Sequence, residues 1–331
     1  MMLTRCDLLF SSHSNALALW TCFARLVDLR IWDCDALVYW PENVFQVLVS
    51  LRRLSIWSCS KLTVHTQASD GQSAPERGGL LPRLESLWIN GCTSLVLVPN
   101  LPASLKTLHI ASCSDNIKSI IFGQHEYVTL VGGEGVVQPD TSSLIPGSCG
   151  SEATASTAVL KLSSAANHRS LPCLESLSIW RCDCLSEVAN LPSSIKILDI
   201  YSCGNLQSLS GKLDVVQKLN IISCSRLESL ESWIGELWSL EVLMLYGCKS
   251  LVSLLDGPQA YSSLRVLQIQ DCDGIKSFPP GLQSCLDCLE VKHIDACYEE
   301  PKTLIRAIRR LVDKAATRLF PCSYDEESDS D

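Results

Sequence analysis

The sequence contains no apolar run that approaches the roughly 18 residues a helix needs to cross a bilayer, so no membrane span is predicted. It also lacks the Gly-x-x-x-x-Gly-Lys-Ser/Thr and Gly-x-Gly-x-x-Gly loops with which proteins bind nucleotide phosphates. None of its nine asparagines lies in an Asn-x-Ser/Thr sequon, the glycosylation site of secreted proteins. These absences favour a cytoplasmic protein without a nucleotide cofactor.

Positive charge is also scarce. The chain has 27 Lys and Arg residues against 36 Asp and Glu residues, a formal net charge of −9. Binding to a phosphate backbone depends on clustered Lys and Arg, so no nucleic-acid partner is expected. Five acidic residues fall within the last seven positions, 325–331, and predict an acidic disordered tail over residues 321–331.

No catalytic centre is indicated by the sequence. Its six histidines are scattered and share no repeated register with a nucleophile or a carboxylate. We therefore expect no enzymatic activity, no catalytic residue and no cofactor.

The chain is organised by one repeated phrase, Leu-x-x-Leu-x-Ile-x-x-Cys-x-x-Leu, in which Val, Ile and Leu replace one another at some positions. Between residues 174 and 275 it occurs five times, and its second leucine recurs at steps of 21 or 24 residues. A period of about 20–29 residues with a strand-like core is the signature of leucine-rich repeats. The phrase starts at Leu26, Leu51, Leu84, Leu105, Leu174, Ile195, Val216, Leu240 and Leu264.

This repeat predicts an α/β leucine-rich-repeat solenoid. Alternating Leu and Ile side chains point to one face of a short strand, and successive coils place these strands side by side. The predicted architecture has a curved parallel β-sheet on the concave face and irregular loops with short helical turns on the convex face. A C-terminal helix is expected to cap the stack.

The predicted solenoid spans residues 26–298 and contains about ten coils. Residues 1–25 are expected to be an irregular N-terminal segment, although 17–22 resembles a strand. A segment rich in Gly, Ser and Thr predicts a loop insert at 123–169, where one degenerate coil is compatible with residues 127–131. The tenth coil begins at Leu286 and has Ile294 in place of the repeated cysteine.

Residues 299–320 follow a helical rhythm and predict the amphipathic capping helix. Its polar face is basic, which leaves two interpretations open: a solvated cap, which we favour, or a surface for a membrane or an acidic partner. The basic residues are Lys302, Arg306, Arg309, Arg310, Lys314 and Arg318, against the single acidic Asp313.

Nine of the 18 cysteines occupy the same position of the repeat, which is a packing pattern rather than a disulfide framework. A small apolar thiol with a weak S–H donor suits a buried column, and redox chemistry or metal binding is not expected there. The predicted ladder consists of Cys34, Cys59, Cys92, Cys113, Cys182, Cys203, Cys224, Cys248 and Cys272.

The residue that follows the Ile of each strand is predicted to project from the concave face, and it is often Trp or Tyr. Such residues dominate the energetics of protein interfaces, so this column is the candidate partner-binding surface. Lateral packing between neighbouring strands explains the same residues without a ligand, and the two interpretations are compatible. The candidate residues are Trp32, Trp57, Trp180, Tyr201, Ile222 and Tyr246, with Trp88 and Met244 from the neighbouring column.

A second motif, Cys285-x2-Cys288-x4-His293-x3-Cys297, is one residue shorter than the spacing of a zinc knuckle. The same stretch already supplies residues to the repeat, and ligands spread along a strand do not converge on one ion. We therefore assign no metal here, and zinc-assisted nucleic-acid binding is the weakest alternative.

The repeated phrase resembles the leucine-rich-repeat region of plant intracellular nucleotide-binding disease-resistance proteins. The residues 174–182, Leu-Glu-Ser-Leu-Ser-Ile-Trp-Arg-Cys, and 240–248, Leu-Glu-Val-Leu-Met-Leu-Tyr-Gly-Cys, carry this resemblance, which covers residues 26–298. In that family the region recognises pathogen effectors or monitors host proteins, and it restrains a nucleotide-binding switch. These 331 residues contain neither that switch nor a coiled-coil domain, so we expect a fragment of a larger receptor, a truncated product or a stand-alone repeat protein.

The resemblance implies a non-catalytic protein-recognition module of plant innate immunity. Its expected partner is a pathogen effector or a monitored host protein on the concave face, with a nucleotide-binding domain in cis or in trans. The alternative is a stand-alone scaffold or adaptor for a host protein complex.

Overall fold

The computed structural model describes residues 1–10, 14–63, 80–95, 97–112, 117–122, 158–164, 171–230, 237–257 and 259–294. The predicted capping helix, the acidic tail and the degenerate coil at 127–131 lie outside these ranges. The helices are α1 (Ser14–Thr21), α2 (Glu42–Val47) and α3 (Pro280–Cys285), with 3₁₀ turns at Asp7–Phe10 and Leu286–Cys288. In chain order the strands are β1 (Met2–Thr4), β2 (Asp28–Trp32), β3 (Arg53–Trp57), β4 (Ser86–Asn90), β5 (Leu97–Leu101), β6 (Thr107–Ala111), β7 (Ile117–Phe122), β8 (Ala158–Ser164), β9 (Ser176–Trp180), β10 (Glu187–Leu191), β11 (Ile197–Tyr201), β12 (Ser208–Gly211), β13 (Lys218–Ile222), β14 (Val242–Tyr246), β15 (Val266–Gln270) and β16 (Val291–Ile294).

A parallel sheet of eleven strands runs through the described structure in the order β1-β2-β3-β4-β6-β9-β11-β13-β14-β15-β16. From β2 to β15 the second leucine of each phrase lies opposite the second leucine of the next, as Leu198 does opposite Leu177 and Leu219. These leucines, and the Ile or Leu two residues later, are buried because the pleat turns both toward the interior. The predicted leucine-rich-repeat solenoid is thereby confirmed.

In the long sheet, each strand from β2 to β15 is followed by a residue with left-handed backbone, immediately before the repeated cysteine position. The φ angles run from 48° to 66° at Asp33, Ser58, Gly91, Ser112, Arg181, Ser202, Ser223, Gly247 and Asp271. Most of their amide groups donate to the last residue of the next strand, as Ser202 N does to Ile222 O at 2.8 Å. This kink turns the chain inward, so that the cysteine side chain enters the core.

A second parallel sheet closes the other side of the central coils. Its strand order is β12-β10-β7-β8-β5. Inward residues of this sheet, such as Ile120, Val188 and Leu209, join the same hydrophobic cluster as the leucines of the long sheet. These strands take the place of the irregular loops that were expected on that side of the central coils. The hydrophobic core of these coils therefore lies between two sheets.

Strand β8 lies out of sequence order. It pairs with β7 on one side and with β5 on the other, although β4 and β6 of the same two coils pair directly in the long sheet. Leu160 and Leu162 of this strand are buried. Residues 158–164 of the segment predicted as a loop insert are therefore a strand.

The N-terminal segment also departs from expectation. Residues 17–22 were predicted to resemble a strand, but α1 covers most of them, since Ala and Leu also favour a helix. The buried Trp20 packs between Phe10 and Phe23 and donates from Nε1 to Leu9 O at 3.0 Å. Strand β1 pairs with β2 and adds a strand before the predicted start of the solenoid at residue 26.

The register of the last strand corrects the predicted tenth coil. Lys292 lies opposite Leu267, and Ile294 lies opposite Ile269. Ile294 therefore takes the isoleucine position of the strand and not the cysteine position, three residues from the predicted alignment. Val291, Lys292 and His293 are exposed, because β16 has no described neighbour on its far side.

Candidate functional site

The outer face of the eleven-stranded sheet, which faces solvent, carries two columns of side chains in register. The first, here called the aromatic column, joins the residues that end each strand. Its members from β2 to β14 are Trp32, Trp57, Asn90, Ala111, Trp180, Tyr201, Ile222 and Tyr246. The second, here called the adjacent column, lies two residues earlier and includes Trp88, His109, Ser178, Asp199, Asn220 and Met244.

Six rings from these two columns form a continuous row across six strands. The indoles of Trp32 and Trp57 stack at 5.0 Å, those of Trp57 and Trp88 at 6.4 Å, and Trp88 stacks on His109 at 3.5 Å between ring centroids. The row then turns edge-to-face. His109 and Trp180 are 6.5 Å apart, and Trp180 and Tyr201 are 5.4 Å apart.

His109 was not among the predicted binding residues, yet it bridges the two halves of the row. Its place opposite Trp88 follows from the repeat register, so the sequence contained the signal. All six rings are half-buried and contact one another, as lateral packing between neighbouring strands requires. Their exposed parts form an ordered aromatic surface.

Several polar atoms of the row are buried without a hydrogen-bond partner among the described residues. They include Trp32 Nε1, His109 Nδ1 and Trp180 Nε1. Burial lowers the pKa of His109 to about 4, so its imidazole is neutral at pH 7. A dry, unpaired N–H group costs about 1–3 kcal/mol, and such groups are where ligands or ordered waters bind.

A cavity of about 40 Å³ opens in the middle of the row. Its lining includes Ala111, which takes the place of a ring in the aromatic column, and the rings of Trp57, Trp88, His109 and Trp180. It has room for about two or three water molecules.

A polar cluster lies beside the row on β9, β11 and β13. Asn220 Nδ2 donates to Asp199 Oδ1 at 2.6 Å, and the Tyr201 hydroxyl donates to the same oxygen at 3.4 Å. Burial raises the pKa of Asp199, and the hydrogen bonds from Asn220, Tyr201 and Ser178 and the charge of Lys218 partly oppose this shift. Asn220 Oδ1 is buried and accepts no hydrogen bond from the described residues.

The other predicted binding residues lie further along the sheet. Ile222 follows Tyr201 in the column and separates it from Tyr246. Ile222 is only 9% exposed, while Tyr246 and Met244 are half-buried. The structure therefore groups Trp32, Trp57, Trp88, Trp180 and Tyr201, and sets these three apart.

Eight of the nine predicted ladder cysteines are buried in the core, at 3% exposure or less, and Cys113 lies outside the described residues. Each of the eight thiols donates to the carbonyl oxygen two residues earlier, as Cys224 Sγ does to Ile222 O at 3.7 Å. Burial raises the pKa of Cys59 to about 11 and of Cys224 to about 12, so these thiols stay protonated and unreactive at neutral pH.

The zinc alternative gains no support. Within the part of the chain that the structure describes, no group of three or more His, Cys, Asp or Glu residues is arranged to hold a metal ion. Cys285 Sγ donates to Leu282 O at 3.2 Å, while Cys288 and His293 are exposed. Cys297 lies outside the described residues.

The two sheets, the repeated register and the row of rings define a leucine-rich-repeat solenoid with an aromatic outer face. None of the described helices is long and apolar enough to span a membrane. No protein-family model and no curated protein matches the chain. A solved structure with similarity to it is the leucine-rich repeat domain of the type III effector XCV3220 (XopL), at 15% identity and a TM-score of 0.39, covering 84% of this chain and 73% of that one.

Proposed function

We propose that this chain is a non-catalytic protein-recognition module that binds its partner on the outer face of the long sheet. The observation that carries the proposal is the row of six rings with buried, unpaired polar nitrogens and a cavity at its centre. Six strands spaced about 4.8 Å apart give this surface a width of about 24 Å between its outer strands, enough for a protein segment.

The geometry supports tight recognition because the rings hold one another in place. Ordering a rotamer-rich side chain at an interface costs about 0.5–1.5 kcal/mol, and rings that are stacked beforehand avoid much of that cost. A partner atom that reaches Trp180 Nε1 or His109 Nδ1 with a hydrogen bond would also satisfy a buried nitrogen that has no partner among the described residues.

The biological setting in this proposal is plant innate immunity. Its support is the resemblance of the repeated phrase to intracellular disease-resistance proteins, with the cytoplasm as the location. The partner is then a pathogen effector or a monitored host protein, and the module restrains a nucleotide-binding switch in cis or in trans. A scaffold for a host complex is the outcome if the same partner binds with and without infection.

The test is partner capture from challenged and unchallenged plant tissue with three forms of the full chain. Trp180→Ala combined with Tyr201→Ala removes the edge-to-face pair, and the expected result is loss of capture with a preserved cooperative unfolding transition. Trp238→Ala is the matched control, because this indole is 46% exposed in the turn before β14 and does not belong to the row. Undiminished capture by the double variant would refute binding at this face.

A further inference from the structure

Asp199 is one of two acidic residues in the described strands of the long sheet, and Asp28 is the other. No Lys or Arg nitrogen of the described residues lies within 4.0 Å of the Asp199 carboxylate. Asp28 on β2, in contrast, pairs with Arg53 Nε at 2.7 Å and Arg30 Nε at 3.3 Å. The hydrogen bonds to the Asp199 carboxylate therefore come from neutral donors, Asn220 and Tyr201 among them.

The fold does not require a carboxylate at this position. In register on other strands, the adjacent column carries Ser55, Trp88, Met244 and Gln268, so many side chains are accommodated there. Burial disfavours the charged form of Asp199. A carboxylate that burial disfavours, in a column where other strands carry neutral side chains, points to a role in binding.

The groups around Asp199 suit a cation with several N–H donors. Asn220 Oδ1 is a second buried acceptor without a partner, since the amide nitrogen of Asn220 is directed to Asp199. The rings of Trp180 and Tyr201 lie in the aromatic column next to the carboxylate, and such rings attract cations through their faces. Lys218 on β13 is the charged neighbour, and β9 carries no charged side chain.

We propose that Asp199, Asn220, Trp180 and Tyr201 receive an arginine side chain of the partner protein. The guanidinium group has five donors in a fixed plane, so it can donate to Asp199 and Asn220 while it packs against a ring. This receptor for arginine rests on the proposed function, because it specifies what the partner presents to the outer face.

The test uses peptides, so that it does not depend on the natural partner. The full chain is labelled with nitrogen-15 at the tryptophan indoles, and the Trp180 signal is assigned with Trp180→Phe. Gly-Gly-Arg-Gly-Gly is expected to shift this signal in a saturable way, and Gly-Gly-Leu-Gly-Gly is not. Gly-Gly-Lys-Gly-Gly is expected to bind several-fold more weakly, because an ammonium group lacks the planar fork.

Two carboxylate variants decide the role of Asp199. Asp199→Asn keeps an acceptor for Asn220 but removes the charge, and it is expected to weaken binding of the arginine peptide at least tenfold. Glu228→Gln, at an exposed position in the turn after β13, is expected to leave the affinity unchanged. Equal binding of the arginine and leucine peptides, or of the wild type and Asp199→Asn, would overturn the proposal.

The two proposals fail in different ways. If the double aromatic variant loses the natural partner while the arginine peptide shows no preference, the recognition function stands and the arginine site is wrong. If the arginine peptide binds through Asp199 but no partner depends on the aromatic row, the site is real and the recognition function is wrong.

Discussion

Asn220 on β13 donates to Asp199 on β11 at 2.6 Å, which orients the carboxylate on the outer face of the sheet. Asn220 itself is only 2% exposed, so this surface column contains a buried amide. Burial raises the pKa of Asp199, and the short hydrogen bond from Asn220 opposes part of that rise because it favours the ionised carboxylate.

The first prediction concerns the effect of Asp199 on stability. Its folded pKa is raised by burial, so ionisation is less favourable in the folded chain than in the unfolded chain, and stability is lost as pH rises through the folded pKa. Asp199→Asn is therefore expected to raise the urea midpoint at pH 7, and the gain is expected to shrink toward pH 4. A lower midpoint at pH 7 would show that the charge stabilises the fold.

The second prediction concerns His109. Its folded pKa of about 4 lies below the ordinary value of 6.5, so the folded chain resists protonation, and stability is lost as pH falls from 6.5 toward 4. The loss amounts to at most about 3 kcal/mol. His109→Gln is expected to flatten this part of the curve of unfolding free energy against pH.

The control for His109 is His293→Gln at the exposed position on β16. Acidic side chains titrate in the same pH window in the wild type and in both variants. A difference between the stability curves of the two variants therefore reports on His109 alone. A curve for His109→Gln with the same slope as the wild type would contradict a buried, neutral imidazole.

The third prediction concerns the cysteine ladder. Cys224→Ser places a hydroxyl where the thiol is 0% exposed and its donor distance to Ile222 O is 3.7 Å. Oxygen is smaller and more strongly hydrated than sulfur, so we expect a loss of about 1–3 kcal/mol in chemical denaturation. Cys173→Ser, at an exposed position, is expected to have no measurable effect.

The fourth prediction concerns the kink that ends each strand. Gly247 has φ of +65°, and a Cβ there would lie 3.6 Å from the nearest atoms, so strain comes from the backbone rather than from crowding. Gly247→Ala is expected to cost about 1 kcal/mol. Gly204→Ala, where a Cβ would meet only Ser225 Oγ at 3.8 Å, is expected to be neutral, and equal melting curves for the two variants would refute the assignment.

The long sheet was predictable because its register depends on a residue pattern that recurs unchanged. Leu198 lies opposite Leu177 and Leu219 because one face of the sheet must be buried. A slip of the register by one residue would turn all the hydrophobic side chains of the strand to solvent. The pattern weakens at the ends. On β16, Lys292 occupies the position that a leucine takes in other strands. The prediction from the hydrophobic pattern therefore placed this strand three residues away from its actual register.

The second sheet and the row of rings required three-dimensional information. Strands such as β12 are short and hold few apolar residues, so nothing local distinguishes them from a loop. Rings that are neighbours in the row can be far apart in sequence, as His109 and Trp180 are. The sequence indicated which side chains face outward. It did not indicate that the rings of Trp88 and His109, in the adjacent column, would contact Trp57 and Trp180 of the aromatic column.

The backward placement of β8 has a consequence for cooperativity. A solenoid in which each coil contacts only its neighbours unfolds as a linear chain of nearly independent units. Strand β8 pairs with β5 and β7, although the chain has already completed the coil of β6, so it ties an early part of the stack to a later one. The coils from β4 to β9, which surround the cavity above Ala111, are expected to open together in hydrogen exchange rather than one at a time.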